Sequence, residues 1–252
     1  MKKRNLILSQ IKSAWAITKK DIFIYYLKSP VLIYGLIFPF FLFFAFFLGK
    51  NVPISSLLPA VLAVTVFFTS SSVGPIIAPW ETRMRTLERL ISCPVSLGFI
   101  LLGDILAGFL FGAVISLGLF IVSMPFLTVG FRSPIVLTAA IILSSFCFSC
   151  LGILLSSPAT DTPSNIMMLS NLIRMPVVFI SGIFIPFDKL PVLGRLVARL
   201  SPLTYTVDIL RYNFYEEHQF GVAFNLGALF IFAVICLFLG VFLHKRNLPR
   251  RF

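Results

Sequence analysis

Six long apolar stretches, separated by short polar breaks, most constrain what this chain can fold into. A helix needs about 20 apolar residues to cross the hydrocarbon core of a bilayer. Hydrophobic residues fill 58% of the 252 positions and charged residues 12%, so we expect no second, soluble domain. We predict an all-α, polytopic membrane protein with a single transmembrane domain, 1–252. Its six predicted transmembrane helices are 31–49, 55–77, 97–122, 135–156, 164–185 and 222–243.

Basic residues flank these stretches unevenly. Segment 5–28 has an apolar face and, opposite it, a basic face with Lys12, Lys19 and Lys20, which predicts an amphipathic helix on the membrane surface. With six spans, 14 of the 21 lysines and arginines share a side with both termini, and 6 lie on the other side. The positive-inside rule therefore predicts cytoplasmic termini in the cell membrane. We ascribe the net charge of +12 to contacts with the lipid bilayer and expect no nucleic-acid partner.

Two connections between the spans are longer than simple turns. Connection 78–96, on the predicted cytoplasmic side, combines charges with an apolar stripe, which predicts one short helix. The pattern fits a solvated juxtamembrane helix and a docking helix equally well. Within it Glu81 precedes Arg85 by four residues, the favourable order for a helical ion pair. Connection 186–221, on the opposite side, is amphipathic, and Ser201 followed by a proline resembles a helix start. It predicts two short external helices.

The chain shows no catalytic or metal-binding motif. It lacks a phosphate-binding Gly-x-x-x-x-Gly-Lys-Ser/Thr, and its two histidines and nine carboxylates form no metal or hydrolase pattern. We therefore expect no directly bound cofactor or metal, and no ATPase site. Cys147 and Cys150 form a Cys-x-x-Cys, but no second ligand pair accompanies them, so we expect both to be packing residues.

One segment carries a specific resemblance. Residues 80–96 read WETRMRTLERLISCPVS, and LLGD follows at 101–104. This resembles the signature of ABC-2 type transporter permeases, roughly E-x-x-x-x-T-L-E-x-L-x-x-x-P-V-S followed by L-L-G-K. Residues 179–186, FISGIFIP, and 201–211, which open SPLTY and end in arginine, are similar to two further motifs of that family. Together with the surface helix, these matches extend over nearly the whole chain.

The resemblance implies the permease subunit of an ATP-binding cassette exporter. In such an exporter two permeases, identical or different, sit on two copies of an ATPase subunit, and ATP and Mg²⁺ bind to the ATPases. Segment 80–93 would be the coupling helix that docks on the ATPase, and the substrate would be hydrophobic or amphipathic, such as a drug, a lipid or a lipid-linked glycan. The implied docking residues are Glu81, Arg83, Arg85, Thr86, Leu87, Glu88, Arg89 and Pro94.

Residues of special interest also lie within the predicted spans. Asp104 stands where the family usually has lysine, and Arg174 is the other charge inside a span. Because charge in a bilayer is costly unless paired or wet, we hypothesise that the two pair or line a hydrated path; alternatively Asp104 reaches the cytoplasmic interface. Gly108 and Gly112 predict close packing, within one protomer or at a dimer seam. Pro176 predicts a kink that is either a hinge or a static bend.

Two other classes of function compete with this interpretation. An ion-coupled transporter or channel would need no ATPase, but it should show internal repeats or several buried carboxylates, and neither is apparent. An intramembrane enzyme would need a catalytic dyad or metal ligands, and the predicted spans contain neither a histidine nor a pair of acidic residues.

Overall fold

The computed structural model describes most of the chain, and all regular structure within the described residues is helical. These residues are 2–26, 37, 41, 58–124, 132–160, 162–184, 187, 190–215 and 219–250. The helices are α1 (Lys2–Asp21), α2 (Leu58–Ser71), α3 (Gly74–Arg83), α4 (Thr86–Ser92), α5 (Leu97–Ser123), α6 (Pro134–Leu155), α7 (Pro163–Ile180), α8 (Val192–Arg199), α9 (Pro202–Tyr215) and α10 (Val222–Asn247). A π-helical turn, Ile22–Tyr26, extends α1, and a 3₁₀ turn, Leu248–Arg250, follows α10.

Five helical segments in the described part of the chain are long and apolar enough to cross a membrane. They coincide with the second to sixth predicted spans, so a multi-pass membrane protein is confirmed. The first predicted span, 31–49, lies outside the described residues apart from positions 37 and 41, and the count of six stays a prediction. The five segments are Leu58–Arg83, which joins α2 to α3, and Leu97–Ser123, Pro134–Leu155, Pro163–Ile180 and Val222–Asn247.

Helix α2 lies at the centre of the bundle, between α5, α6 and α9. Its Phe67 is fully buried and packs edge-on against Phe148 of α6, with ring centroids 5.0 Å apart. Two of its buried hydroxyl groups, on Thr69 and Ser71, donate to the carbonyl four residues earlier at 2.6 Å. The Ser70 hydroxyl between them is buried with no hydrogen-bond partner among the described residues, so the polar run is satisfied only in part.

Small residues allow α5 to approach α2 closely. A Cβ atom on Gly112 would overlap the side chain of Ser70, and one on Gly108 would lie 2.8 Å from the Tyr26 hydroxyl and 2.9 Å from the Ser70 carbonyl oxygen. The Gly-x-x-x-Gly pair thus packs inside one protomer. It does not face outwards, as a dimer seam would require.

The second predicted span is interrupted where α2 passes into α3. Bends at Ser72 and Val73 separate the two helices. The Arg174 guanidinium of α7 donates to the freed Ser71 carbonyl at 2.6 Å. Gly74 then lies so close to the backbone of Gly152 in α6 that an added Cβ would come within 2.8 Å of the Gly152 carbonyl carbon. The break is therefore braced by both α6 and α7.

At the end of the bundle that holds the predicted external connection, Asp208 of α9 binds the segment that leads into α10. Its carboxylate accepts hydrogen bonds from the backbone N–H of Gln219 at 2.7 Å and of Phe220 at 3.0 Å, and from Asn225 Nδ2 at 2.7 Å. Arg211, one turn further along α9, donates to the Gly182 carbonyl at 2.7 Å. These bonds fix α9 to the start of α10 and to the chain that follows α7. Helices α8 and α9 both lie within the predicted external connection.

Candidate functional site

The candidate site lies at the end of the bundle where α1, the α3–α4 connection and the ends of α5, α6 and α10 meet; we call it the basic end. The structure forms two helices, α3 and α4, where one helix over 80–93 was predicted, so that prediction is wrong. Arg85 separates them, with left-handed backbone angles φ 54° and ψ 22°. The turn follows the end of the membrane-span segment Leu58–Arg83, of which α3 is the last part, and precedes α4. We call this pair of helices the elbow.

The elbow hides one face in the bundle and exposes the other. Leu87 and Glu81 are 5% and 2% exposed, so these two predicted docking residues face the chain's own interior. Thr86 is half-buried, and its hydroxyl donates to the Glu81 carbonyl at 3.3 Å. The predicted docking residues that are exposed are Arg83, Arg85, Glu88, Arg89 and Pro94.

Glu81 binds Lys20 of α1, and the predicted helical pair with Arg85 does not form because the left-handed turn separates the two residues. Lys20 also lies 3.0 Å from an Asp21 carboxylate oxygen. Burial acts to lower the pKa of Lys20, but the charges of Glu81 and Asp21 outweigh it and the net shift is upward. Lys20 was assigned to the exposed basic face of α1, and the structure instead turns it inwards as the counter-ion of Glu81.

The pKa values of Asp21 and Tyr25 at the basic end are also raised. Burial raises the pKa of the Asp21 carboxyl, although its hydrogen bond with Asp104 and the charge of Lys20 act in the other direction. Burial and the charge of Glu81 raise the pKa of Tyr25. The cluster of Lys20, Asp21, Glu81 and Asp104 is thus rich in negative charge for a site this close to the membrane.

Helix α1 is also tied to the beginning of α5. The Gln10 side-chain amide donates to the Pro94 carbonyl at 2.8 Å, and its carbonyl oxygen accepts the Ser96 N–H at 3.0 Å. Further along, the Thr18 hydroxyl donates to the Gly103 carbonyl at 3.0 Å. Helix α1 therefore straps the elbow and the start of α5 together.

Asp104 and Arg174 do not form the hypothesised ion pair. Asp104 joins the cluster of Asp21, Glu81 and Lys20, whereas Arg174 hydrogen-bonds to the Ser71 carbonyl at the helix break. Both side chains are 3% exposed. The pairing fails because each charge has nearer partners on other helices. Pro176 lies within α7 two residues after Arg174, and its role as hinge or bend stays a prediction.

The end of α10 completes the basic end. The His244 ring nitrogens lie 3.1 Å from the Ser156 hydroxyl and 2.9 Å from the Gly240 carbonyl oxygen. Asn247 donates to the Ser157 carbonyl at 2.9 Å. Across the described ranges, no three or more His, Cys, Asp or Glu side chains are arranged to hold a metal ion.

Sequence reasoning did not identify Gln10, Lys20, Asp21 or Asp208. Gln10 and Lys20 contact residues 84 and 61 positions away in the sequence, respectively. A pattern of neighbouring residues cannot predict contacts at such separations. The one available signal was that Lys20 and Asp21 interrupt the approach to an apolar run with adjacent opposite charges.

Comparison with known proteins gives consistent matches. A family model described as ABC-2 type transporter matches residues 12–215. Nodulation protein J of Rhizobium leguminosarum bv. trifolii is 27% identical over 202 residues, which are 79% of this chain and 77% of that protein. Nodulation protein J of Sinorhizobium fredii is 29% identical over 203 residues, 79% and 76% of the two chains. The inner membrane transport permease YadH of Escherichia coli is 23% identical over 150 residues, 60% and 58% of the two chains.

Proposed function

This chain belongs to the ABC-2 type transporter family, and from that membership we propose that it is the permease subunit of an ATP-binding cassette exporter in the cell membrane. Both termini face the cytoplasm, as the distribution of lysine and arginine favours. The chain carries no ATPase activity of its own. Two copies of a separate ATPase subunit, which bind ATP and Mg²⁺, drive transport.

The ATPase docks on the exposed face of the elbow. The observation that carries this proposal is the two-sided burial of α3 and α4: Leu87 and Glu81 fasten the elbow to the bundle, while Arg85, Glu88 and Arg89 project outwards. Because Leu87 and Glu81 anchor the elbow in the bundle, a displacement of its exposed face by the ATPase is transmitted to the membrane helices. A solvated loop without buried side chains would deform instead and would not move the membrane helices.

Movement of the elbow acts directly on the membrane spans. Helix α3 forms one apolar segment with α2, interrupted only at Ser72 and Val73. Displacement of α3 therefore bears on this break and on Arg174, which donates to the Ser71 carbonyl. Movement of the elbow also moves α1, because Lys20 of α1 pairs with Glu81 of α3 and Gln10 of α1 bonds to Pro94, which follows α4. We infer that ATP-driven closure of the ATPase pair alternates access to a path between two permeases by this route.

A second permease covers the outward face of α7. That helix exposes apolar side chains, among them Met168 at 75% and Leu172 at 69%, in a segment whose hydropathy is only just sufficient for a span. A homodimer or a heterodimer with a related permease would bury this face. We propose a hydrophobic or amphipathic substrate, such as a drug, a lipid or a lipid-linked glycan, because the helices available to wall a path between two permeases are apolar.

Co-purification tests the docking proposal. The tagged chain, isolated from its native membrane in mild detergent, should bring down an ATP-binding cassette ATPase that mass spectrometry identifies. Reversing two exposed charges, Arg85→Glu with Arg89→Glu, should reduce the ATPase recovered by about ten-fold or more, because several kcal/mol of like-charge juxtaposition replaces attraction.

Arg199→Glu is the matched control, because Arg199 is exposed on α8 at the opposite end of the bundle. It should leave recovery of the ATPase unchanged. Transport by the purified chain in proteoliposomes without any ATPase would overturn the proposal and favour an ion-coupled transporter.

A further inference from the structure

A small pocket opens at the basic end between the elbow, the start of α5 and the end of α10. Its interior volume is about 10 Å³, which is room for roughly one group of the size of a water molecule. Polar side chains reach it from three helices, namely Glu81, Asp104 and His244. The remaining walls are apolar and are formed by Ala78, Leu87, Leu97, Ile100, Leu101 and Leu248.

Asp104 gives the pocket its chemistry. Its side chain is 3% exposed, and its Oδ1 has no hydrogen-bond partner among the residues that the structure describes. His244 does not supply one, since its ring nitrogens are directed to Ser156 and Gly240. A buried carboxylate oxygen without a partner is costly, so the pocket wall presents an acceptor that a donor from outside the chain would satisfy.

The surrounding charges favour a positive donor. Lys20 is already paired with Glu81 and Asp21, so one ammonium serves three carboxylates when Asp104 is included. Tyr25 and Tyr26, which also face the cluster, add no positive charge. The hydrogen bond between the Asp21 and Asp104 carboxyl groups places a proton on one of them. With the other two acids ionised, the cluster lacks one positive charge, which a cation bound at Asp104 would supply.

We propose that this pocket binds the protonated primary amine of an amphipathic molecule, with the ammonium group on Asp104 and the alkyl part along the leucines at the mouth. A primary ammonium group is about the size of the interior and has three N–H donors. A trimethylammonium group is larger and has none. The inference concerns a binding site on this chain and is independent of which substrate the transporter exports.

Thermal unfolding of the full chain in detergent tests the inference without any ATPase. It can be followed by the fluorescence of Trp15 and Trp80. Octylamine at neutral pH should raise the unfolding midpoint by about 3 °C or more at saturation, because ligands that bind only the folded state stabilise it. Octyltrimethylammonium and octanol, which match it in chain length, should not. Equal stabilisation by octylamine and octyltrimethylammonium would overturn the proposal, and this comparison needs no variant.

Asp104→Asn removes the charge and keeps the shape of the side chain. It should raise the octylamine concentration needed for half of the effect by about ten-fold or more, since hydrogen bonds to charged groups contribute about 1.5–3 kcal/mol. Glu88→Gln makes the same change on the exposed face of α4 and should leave that concentration unchanged. An unaltered octylamine response in Asp104→Asn would overturn the proposal.

The natural source of the amine is distinguished by repeating the titration in nanodiscs. Phosphatidylethanolamine carries a primary amine, whereas phosphatidylcholine carries a trimethylammonium group. If the headgroup of a membrane lipid occupies the pocket, octylamine should act more weakly in phosphatidylethanolamine discs than in phosphatidylcholine discs. Equal stabilisation in both supports a soluble amphipathic amine instead. Absence of any octylamine effect in both would contradict the inference.

Discussion

At the scale of single residues, burial decides which charges act on the fold and which are presented to a partner. Lys20 and Lys19 are neighbours, yet Lys19 is exposed and Lys20 pairs with two carboxylates. The sequence could not separate them, because the helical period places both on one broad polar face. Asp104, in contrast, was identified as unusual from its position in an apolar run, although its partners were not.

The first residue-scale prediction concerns pH. Burial raises the pKa of Asp21 above its ordinary value of 3.8. The folded chain therefore binds this proton more tightly than the unfolded chain does, so the group's contribution to stability is full below about pH 3.8 and is lost as the pH rises through the raised, folded-state pKa. Asp21→Asn removes this term. Its unfolding midpoint should fall less than that of the wild type as the pH rises from about 4 to about 8.

Glu88→Gln provides the comparison for that experiment, because Glu88 is exposed. It should follow the wild-type pH dependence. Identical pH dependence in Asp21→Asn and the wild type would show that Asp21 has the same pKa in the folded and unfolded states.

The second residue-scale prediction concerns the close approach of α5 to α2. Gly112→Ala should destabilise the chain by about 1–3 kcal/mol, since the new methyl group would overlap the Ser70 side chain. Gly118 lies on the same helix with nothing near its added Cβ, so Gly118→Ala should be neutral or stabilise by up to about 1 kcal/mol. Denaturant titration of both variants in one detergent measures the difference, and equal effects would contradict the packing described.

At the scale of elements, helix α1 is a strap rather than a floating surface helix. Its amphipathic pattern, which is local, predicted a surface helix over 5–28, and the structure has α1 at Lys2–Asp21. The pattern could not show that Gln10 and Thr18 bind the backbone of 94–103, since an isolated polar residue on such a helix has no local sign of its partner. The elbow was missed for a related reason: nothing in the letters around Arg85 indicates a left-handed residue, a conformation more common for glycine and asparagine.

The strap can be tested through one amide. Gln10→Ala removes the acceptor of the Ser96 N–H, and a hydrogen bond contributes about 1 kcal/mol, so hydrogen exchange at Ser96 should become about five-fold faster. Lys12→Ala, a change to an exposed residue of the same helix, should leave that rate unchanged. Mass spectrometry of a peptide containing 94–100 measures both. Unaltered exchange in Gln10→Ala would mean that another group protects the amide.

At the scale of the whole molecule, length and apolarity located the five spans found in the described part of the chain. Prolines at 134, 163 and 202 begin helices α6, α7 and α9, and such positions can be read from sequence because proline tolerates the first turn of a helix. The interior arrangement could not be read in the same way. Which helix surrounds which depends on contacts such as Ser70 with Gly112 and Arg174 with Ser71, which join separate spans.

Charge exchange between two spans tests this arrangement. Because Asp104 and Arg174 have separate partners, Asp104→Arg combined with Arg174→Asp should be no more active in ATP-driven transport than the weaker single variant. Surface expression of each variant, measured in parallel, separates lost transport from lost folding. Recovery of transport above both single variants would show a direct interaction that the structure does not contain.

The two-sided elbow also bears on how such a subunit could exchange partners. Residues that fasten α3 and α4 to the bundle, such as Leu87 and Glu81, are distinct from those that meet the outside, such as Arg85, Glu88 and Arg89. The outward set can therefore change through mutation while the anchoring set stays fixed. If the ATPase docks there as proposed, exchanging the outward set alone should redirect this chain to a different ATPase, because the buried anchors that hold its membrane helices stay unchanged.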